Sequence, residues 1–140
     1  MSDKKYPTVY ATVDIVIRKN SMILLGRKPH QTKFRFPGGF ADPQLDNSYE
    51  DSAKREAKEE TSLDVHDVKY LGSTRIDDPR YRGTEDCIIT HLFVTENFSG
   101  MEKANDDIAE LKWVKENELS EDLFVDEHHV LLQLLRESEK

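Results

Sequence analysis

The chain has 140 residues, 34% of them charged, and a formal net charge of -8. That length fits one domain, residues 1–140, with a core of its own. The acidity excludes a general nucleic-acid or anionic-membrane binder, which needs a basic patch. Cys87 is the sole cysteine, so no intrachain disulfide is available and a reducing compartment fits. The opening MSDKKYP lacks the apolar core of a signal peptide. No apolar run approaches the roughly 18 residues of a membrane span. A soluble cytoplasmic protein is expected.

In chain order, Thr8 to Arg18 is rich in β-branched residues and predicts a strand. Lys19-Asn20-Ser21 turns it back, and Met22 to Gly26 is its hairpin partner. Lys33 to Phe36 predicts a short strand running into Pro37-Gly38-Gly39. Ser48 to Thr61 has no Pro or Gly and many helix formers; Asn47 with Glu50 has capping-box spacing, and Ser48 with Asp51 is a second option. Val65 to Arg75 and Asp86 to Val94 predict strands. The second is apolar on both faces, with Cys87, Ile89, His91 and Phe93 opposite Ile88, Leu92 and Val94, so it is expected between two layers, with Cys87 buried. Glu110 to Val114 predicts a further strand. Asp126 to Glu137 predicts a closing helix with Val130, Leu131, Leu134 and Leu135 on one stripe. There is no internal repeat and no linker. Strands and helices mix without a repeating unit, which predicts an α/β fold with a mixed sheet packed between helices.

The helix from Ser48 to Thr61 carries an unusual set of charges. Tyr49, Ala53 and Ala57 make a narrow packing stripe at i, i+4 spacing. Glu56 and Glu60 share another face, and Glu59 lies beside them. Arg55 can pair with Glu59 one turn on. Three carboxylates this close are either a solvated face or a place where a cation sits. The glycine turn just upstream lets a backbone carbonyl approach a ligand. Oxygen ligands of this kind suit Mg2+ or Mn2+, which clamp phosphate oxygens and activate water.

Gly39 to Leu63 resembles the Nudix box, a glycine, five residues, a glutamate, seven residues, then R-E-U-x-E-E-x-G-U with U aliphatic. The run REAKEETSL supplies Arg55, Glu56, Ala57, Glu59, Glu60 and Leu63, and FPGGF is the usual approach. Trp113 to Leu119 also sits where the family has a similar run. Three positions depart. Fifteen residues separate Gly39 from Arg55, two more than the pattern. The first glutamate of the pattern falls on Asn47, with Asp46 and Glu50 near but out of register, which bears on the placement of Arg55. Ser62 replaces the glycine past the helix end, where a left-handed cap costs serine about 1 kcal/mol.

The resemblance implies the Nudix fold, an α/β/α sandwich, and metal-dependent hydrolysis of a nucleoside diphosphate linked to another moiety. Carried over by position, Glu56 and Glu60 are the leading metal ligands, Glu59 assists, and Gly39 contributes its carbonyl. The family's general base often lies in a loop before a late strand. Here Asn105 to Glu110 offers Asp106, Asp107 and Glu110, of which Glu110 is favoured and Asp107 is next.

The flanks KFRFPGGFAD and RIDDPRYRG resemble the Nudix domains that accompany nicotinamide mononucleotide adenylyltransferases. That resemblance implies ADP-ribose as substrate, with AMP and ribose 5-phosphate as products. Only seven residues precede the first strand, so no partner adenylyltransferase domain is expected. Arg75, Arg80 and Arg82, expected in one loop, can grip phosphate or a terminal ribose, or pair with Asp77, Asp78, Glu85 and Asp86 around them. Arg35 is expected to face the substrate, and Tyr81 or Phe40 to stack on adenine. The five histidines form no ligand set; His91 is expected as a core residue. Two alternatives stay open: another nucleotide substrate, such as a damaged nucleoside triphosphate or a dinucleoside polyphosphate, and a domain that senses ADP-ribose without cleaving it. The family includes many dimers, and a homodimer is compatible with this sequence although no apolar stripe demands one.

Overall fold

A computed structural model describes residues 6–140. Strand β1, Val9–Lys19, is the centre of the main sheet. It pairs in parallel with β6, Cys87–Thr95, along nine residues, and β6 pairs antiparallel with β5, Lys69–Ile76. The opposite edge of β1 is shared. Near Thr12–Asp14 it meets β3, Gly38–Phe40; at Arg18–Lys19 it meets β2, Met22–Arg27, which in turn pairs with β8, Glu110–Lys115. Arg35 fills the interval by bridging to Gly26. The mixed sheet is as expected. Gly38 and Gly39, on the β3 part of that edge, line a cleft.

Alternation along β1 sends Val13, Ile15 and Ile17 to one face, where they bury Ala53 and Ala57 of helix α1, Tyr49–Thr61. The two alanines are fully buried, so α1 lies close on the sheet. Tyr49, expected to join them, is 41% exposed and instead stacks on His91 at 4.1 Å. The other face buries Val16, Leu92 and Val94 against helix α2, His129–Ser138. This is an α/β/α sandwich.

Several boundaries differ from expectation. The strand predicted over Val65–Arg75 is two strands: β4, Asp64–Val65, pairs with β7, Phe98–Ser99, in a separate ribbon, and β5 begins at Lys69. The predicted helix start at Asp126 is a 3-10 turn, Asp126–His128, and α2 follows it. That turn rotates the buried stripe of α2 to Leu131, Leu132 and Leu135, leaving Val130 exposed. Cys87, at the end of β6, is half-buried rather than buried. Ser48, the second capping option, caps α1 by accepting from Asp51 N–H at 3.1 Å.

Candidate active site

The cleft between β3, α1 and the loops around them is a cavity of about 500 Å3. Its acidic end is built by three segments. Glu56 and Glu60 come from α1 and are 7% and 4% exposed. Gly38 donates its N–H to Glu60 Oε1 at 3.0 Å. Gly39 lies so close to Glu56 that a Cβ there would stand 2.5 Å from Oε2. The third segment is the loop before β8. The helix end would leave carbonyls unpaired, and the loop takes them: Lys103 N–H donates to Thr61 O at 2.8 Å and Asn105 N–H to Glu60 O at 3.2 Å. Docked this way, the loop brings the Asp106 and Asp107 carboxylates to within 4.8 Å of Glu60's. Asp106 holds a left-handed backbone, φ 55°, which aspartate tolerates better than most residues.

The electrostatics follow from that crowding. Burial pushes the Glu60 carboxyl up to about 8, with the Glu56 and Asp107 charges adding and the Gly38 N–H opposing. Burial also raises Glu56, with Glu59 adding and Arg55 opposing. Carboxylates that repel one another in a buried cleft form a site that a cation relieves.

Arg55 is held from several sides. Asp46 accepts from its Nε at 3.0 Å and its Nη2 at 2.9 Å, and Phe40 O accepts from Nη2 at 3.1 Å. Its Nη1 donates to Glu56 at 3.0 Å and to Glu59 at 3.2 Å. The sequence raised doubt over Arg55 because Asn47 occupies the expected glutamate position. Asp46 removes the doubt: the loop with two extra residues turns its side chain inward, and Ser52 Oγ donates to it at 2.7 Å. Ser62 does adopt the left-handed cap, φ 68°, and its Oγ donates to Lys103 O at 3.1 Å.

Of the residues expected in the site, Gly39, Glu56, Glu60, Asp107, Arg35, Arg80 and Phe40 line the cavity. Glu59 does not; its half-exposed carboxylate faces Arg55. Glu110 does not either, and is paired with Arg27 at 2.9 Å. Arg75 is on β5 rather than in a loop, opposite Ile89, and Arg82 is paired with Asp77 at 2.9 Å on the surface. Arg80 is paired with Asp78 at 2.8 Å and lies 5.5 Å over the Phe40 ring. Tyr81 is stacked on Tyr10 at 5.0 Å, outside the cavity lining.

Several polar groups in the lining were not anticipated, among them Asp14, Lys28, Gln31, Glu127 and His128. Asp14 carried a signal, as a lone acid inside an apolar strand run. Burial pushes its carboxyl up to about 7, with the Thr90 hydroxyl and Arg35 opposing. Burial drives His128 down to about 3, with Arg35 and Lys28 adding. His128 Nε2 and Asp14 Oδ1 are 3.7 Å apart; with the imidazole neutral they are not an ion pair. Lys28 Nζ is 3.3 Å from Asp107.

Residues 9–135 match the family model for the NUDIX domain. The chain belongs to the Nudix family. Two curated proteins are similar to it. It is 33% identical over 110 residues to an ADP-ribose pyrophosphatase of Methanocaldococcus jannaschii, covering 76% of this chain and 62% of that protein. It is 33% identical over 70 residues to the NAD-capped RNA hydrolase NudC of Vibrio atlanticus, covering 49% of this chain and 25% of that one. The chain thus spans less than two thirds of either relative. Among solved structures, the Nudix domain of Shewanella oneidensis NrtR, complexed with ADP ribose, superposes with a TM-score of 0.72 at 17% identity, covering 98% of this chain and 91% of that one. This Nudix domain therefore shares the family's fold over nearly its whole length. Among the described residues no helix is long and apolar enough to cross a membrane.

Proposed function

We propose that this Nudix domain hydrolyses the diphosphate of a nucleoside diphosphate linked to another moiety, with ADP-ribose, cleaved to AMP and ribose 5-phosphate, as the substrate supported best. The observation that carries the reading is the meeting of Glu56, Glu60, Asp106 and Asp107 at one end of a cavity that carries Arg35, Arg80 and Phe40 elsewhere. The curated ADP-ribose pyrophosphatase relative supports the choice of substrate.

The donor set fits a hard divalent ion such as Mg2+ or Mn2+. It is all oxygen, partly buried and self-repelling, and it lies so close against Gly39 that a Cβ there would strike the Glu56 carboxylate. Glu56, Glu60 and the Gly39 carbonyl would hold the ion, with Asp106 or Asp107 close enough to share it. When bound, the ion supplies charge neutralisation for the diphosphate and lowers the pKa of water.

The chain's own residues do the rest. Arg55 fixes Glu56 and Glu59 in direction, and is itself fixed by Asp46. Arg80 and Arg35 face the anionic substrate with guanidinium donors. Asp107 is a better base candidate than Glu110, because Asp107 lines the cavity while Glu110 is engaged by Arg27. The test is a panel of ADP-ribose, dinucleoside polyphosphates and nucleoside triphosphates, assayed with and without Mg2+. Release of AMP from ADP-ribose that requires the ion is the expected result. Cleavage of another class alone would replace the substrate, and metal-independent cleavage would remove the mechanism.

A further inference from the structure

Next to Gly38, on the wall of the same cavity, stands a polar pair that the metal-centred chemistry does not use. Asp14, from β1, is 7% exposed. Thr90 Oγ1 donates to its Oδ2, and among the described residues this is the sole hydrogen bond to that carboxyl. His128 is also 7% exposed. Phe36 N–H donates to its Nδ1 at 3.1 Å, which leaves Nε2 as the ring nitrogen that carries the proton. Nε2 and Asp14 Oδ1 stand 3.7 Å apart, too far to satisfy each other. Beside them, the buried Nε of Arg35 has no hydrogen-bond partner. An acceptor and two donors are thus held side by side on a cavity wall, and leaving such groups unpaired is costly.

The surroundings narrow what would pair with them. Phe36, Ile76, Pro79 and Ile88 line the cavity with these groups. These apolar side chains, set in the same lining as Lys28, Gln31, Arg80 and Glu127, suit the faces of a ring whose edge is polar.

We propose that Asp14 Oδ1 and His128 Nε2–H are a specificity-determining pair that reads the edge of a nucleobase, taking an amino group beside an unprotonated ring nitrogen. Asp14 accepts from the amino group and His128 donates to the ring nitrogen. A keto base such as hypoxanthine presents the reverse, a carbonyl oxygen toward the carboxyl and a ring N–H toward the imidazole N–H. The inference rests on reading the cavity as a nucleotide site, and is independent of which phosphate linkage is cleaved.

The experiment compares adenine and hypoxanthine forms of one nucleotide. Affinities of AMP and IMP are measured by calorimetric titration, and kcat/KM is measured for the matched pair of whichever class the protein hydrolyses. The wild type should favour the amino form by about tenfold or more, since a site built to hydrogen-bond an edge rejects its mismatch. Asp14→Asn should bring that ratio to within about threefold of unity, because an amide can turn to suit either edge. Thr90→Val, which frees Oδ2 without touching the pair, should reduce the ratio in part, and serves if Asp14→Asn does not fold. A wild-type ratio near unity overturns the proposal. So does a ratio that Asp14→Asn leaves intact while all affinities fall together, the signature of a merely structural carboxyl. A change confined to the discrimination between ribose and glucose derivatives also overturns it, by assigning the pair to the sugar. If no nucleotide is cleaved, the hydrolase reading fails while the AMP-to-IMP affinity ratio still decides this one.

Discussion

Asp46 grips Arg55 with both carboxylate oxygens, Nε donating to Oδ1 at 3.0 Å and Nη2 to Oδ2 at 2.9 Å. The Arg55 guanidinium beside it holds the Asp46 carboxyl down at about 2, with Ser52 adding. Asp46→Ala leaves Arg55 free to turn from Glu56 and Glu59. It should cost about 1.5–3 kcal/mol of stability, the range for hydrogen bonds to charged groups, and lower kcat more than it raises KM. Asn47→Ala, at the position the family pattern assigns to this role, should change neither by much. Urea denaturation with steady-state kinetics on both variants checks the pair.

The two glycines of the turn should fail differently. A Cβ at Gly38 would collide with the Val13 carbonyl oxygen, which is fixed backbone in β1. Gly38→Ala should therefore destabilise the fold by several kcal/mol or prevent its recovery. A Cβ at Gly39 would meet the Glu56 carboxylate at 2.5 Å, the far end of a side chain that can move aside. Gly39→Ala should melt near the wild type and lose divalent-ion binding. Thermal melts with and without Mn2+ distinguish the two.

Ser62 combines an unfavourable backbone with a compensating bond. Its φ of 68° disfavours a Cβ, while its hydroxyl donates to Lys103 O at 3.1 Å and ties down the loop that carries Asp106 and Asp107. Ser62→Ala keeps the strain and loses the bond, and should cost about 1 kcal/mol. Ser62→Gly loses both, and should be close to neutral because the two effects are each about 1 kcal/mol. Chemical denaturation of the pair measures the difference.

Asp14 and His128 should leave opposite marks on the pH dependence of stability. The Asp14 carboxyl rises from its ordinary 3.8 to about 7 on folding, so the folded state binds more protons between those values, and stability falls as pH rises through them. His128 drops from its ordinary 6.5 to about 3, so the unfolded state binds more protons there, and stability is lost as pH falls. The slopes oppose each other over the shared window. Relative to wild type, Asp14→Asn should make stability rise more steeply with pH, and His128→Gln should make it fall. Denaturation midpoints collected across the acid range give both signs.

Much of this was legible in the sequence. The alternation of β1, the helix formers of α1 and the order of FPGGF and REAKEE gave the sandwich and the two buried glutamates, because local periodicity and a contiguous motif are written in neighbouring residues. Asp46 was harder to read, since only the path of a loop decides which residue turns inward. Asp106 and Asp107 meet Glu60 through hydrogen bonds from a loop more than forty residues on, and no local pattern announces that docking. The family resemblance favours Glu110, and it does not reveal that Arg27, on the neighbouring strand, engages that residue. Asp14 and His128 come together from opposite ends of the chain, a pairing that no local pattern shows.

The account stands on a divalent ion held by Glu60 and its neighbours, and Mn2+ titration followed by the paramagnetic resonance of the free ion tests that directly. The wild-type protein should remove about one or more Mn2+ per chain from solution at a cleft of this donor set, and Glu60→Gln, folded by circular dichroism, should bind far more weakly. Equal binding by the two proteins, or none by either, would contradict it.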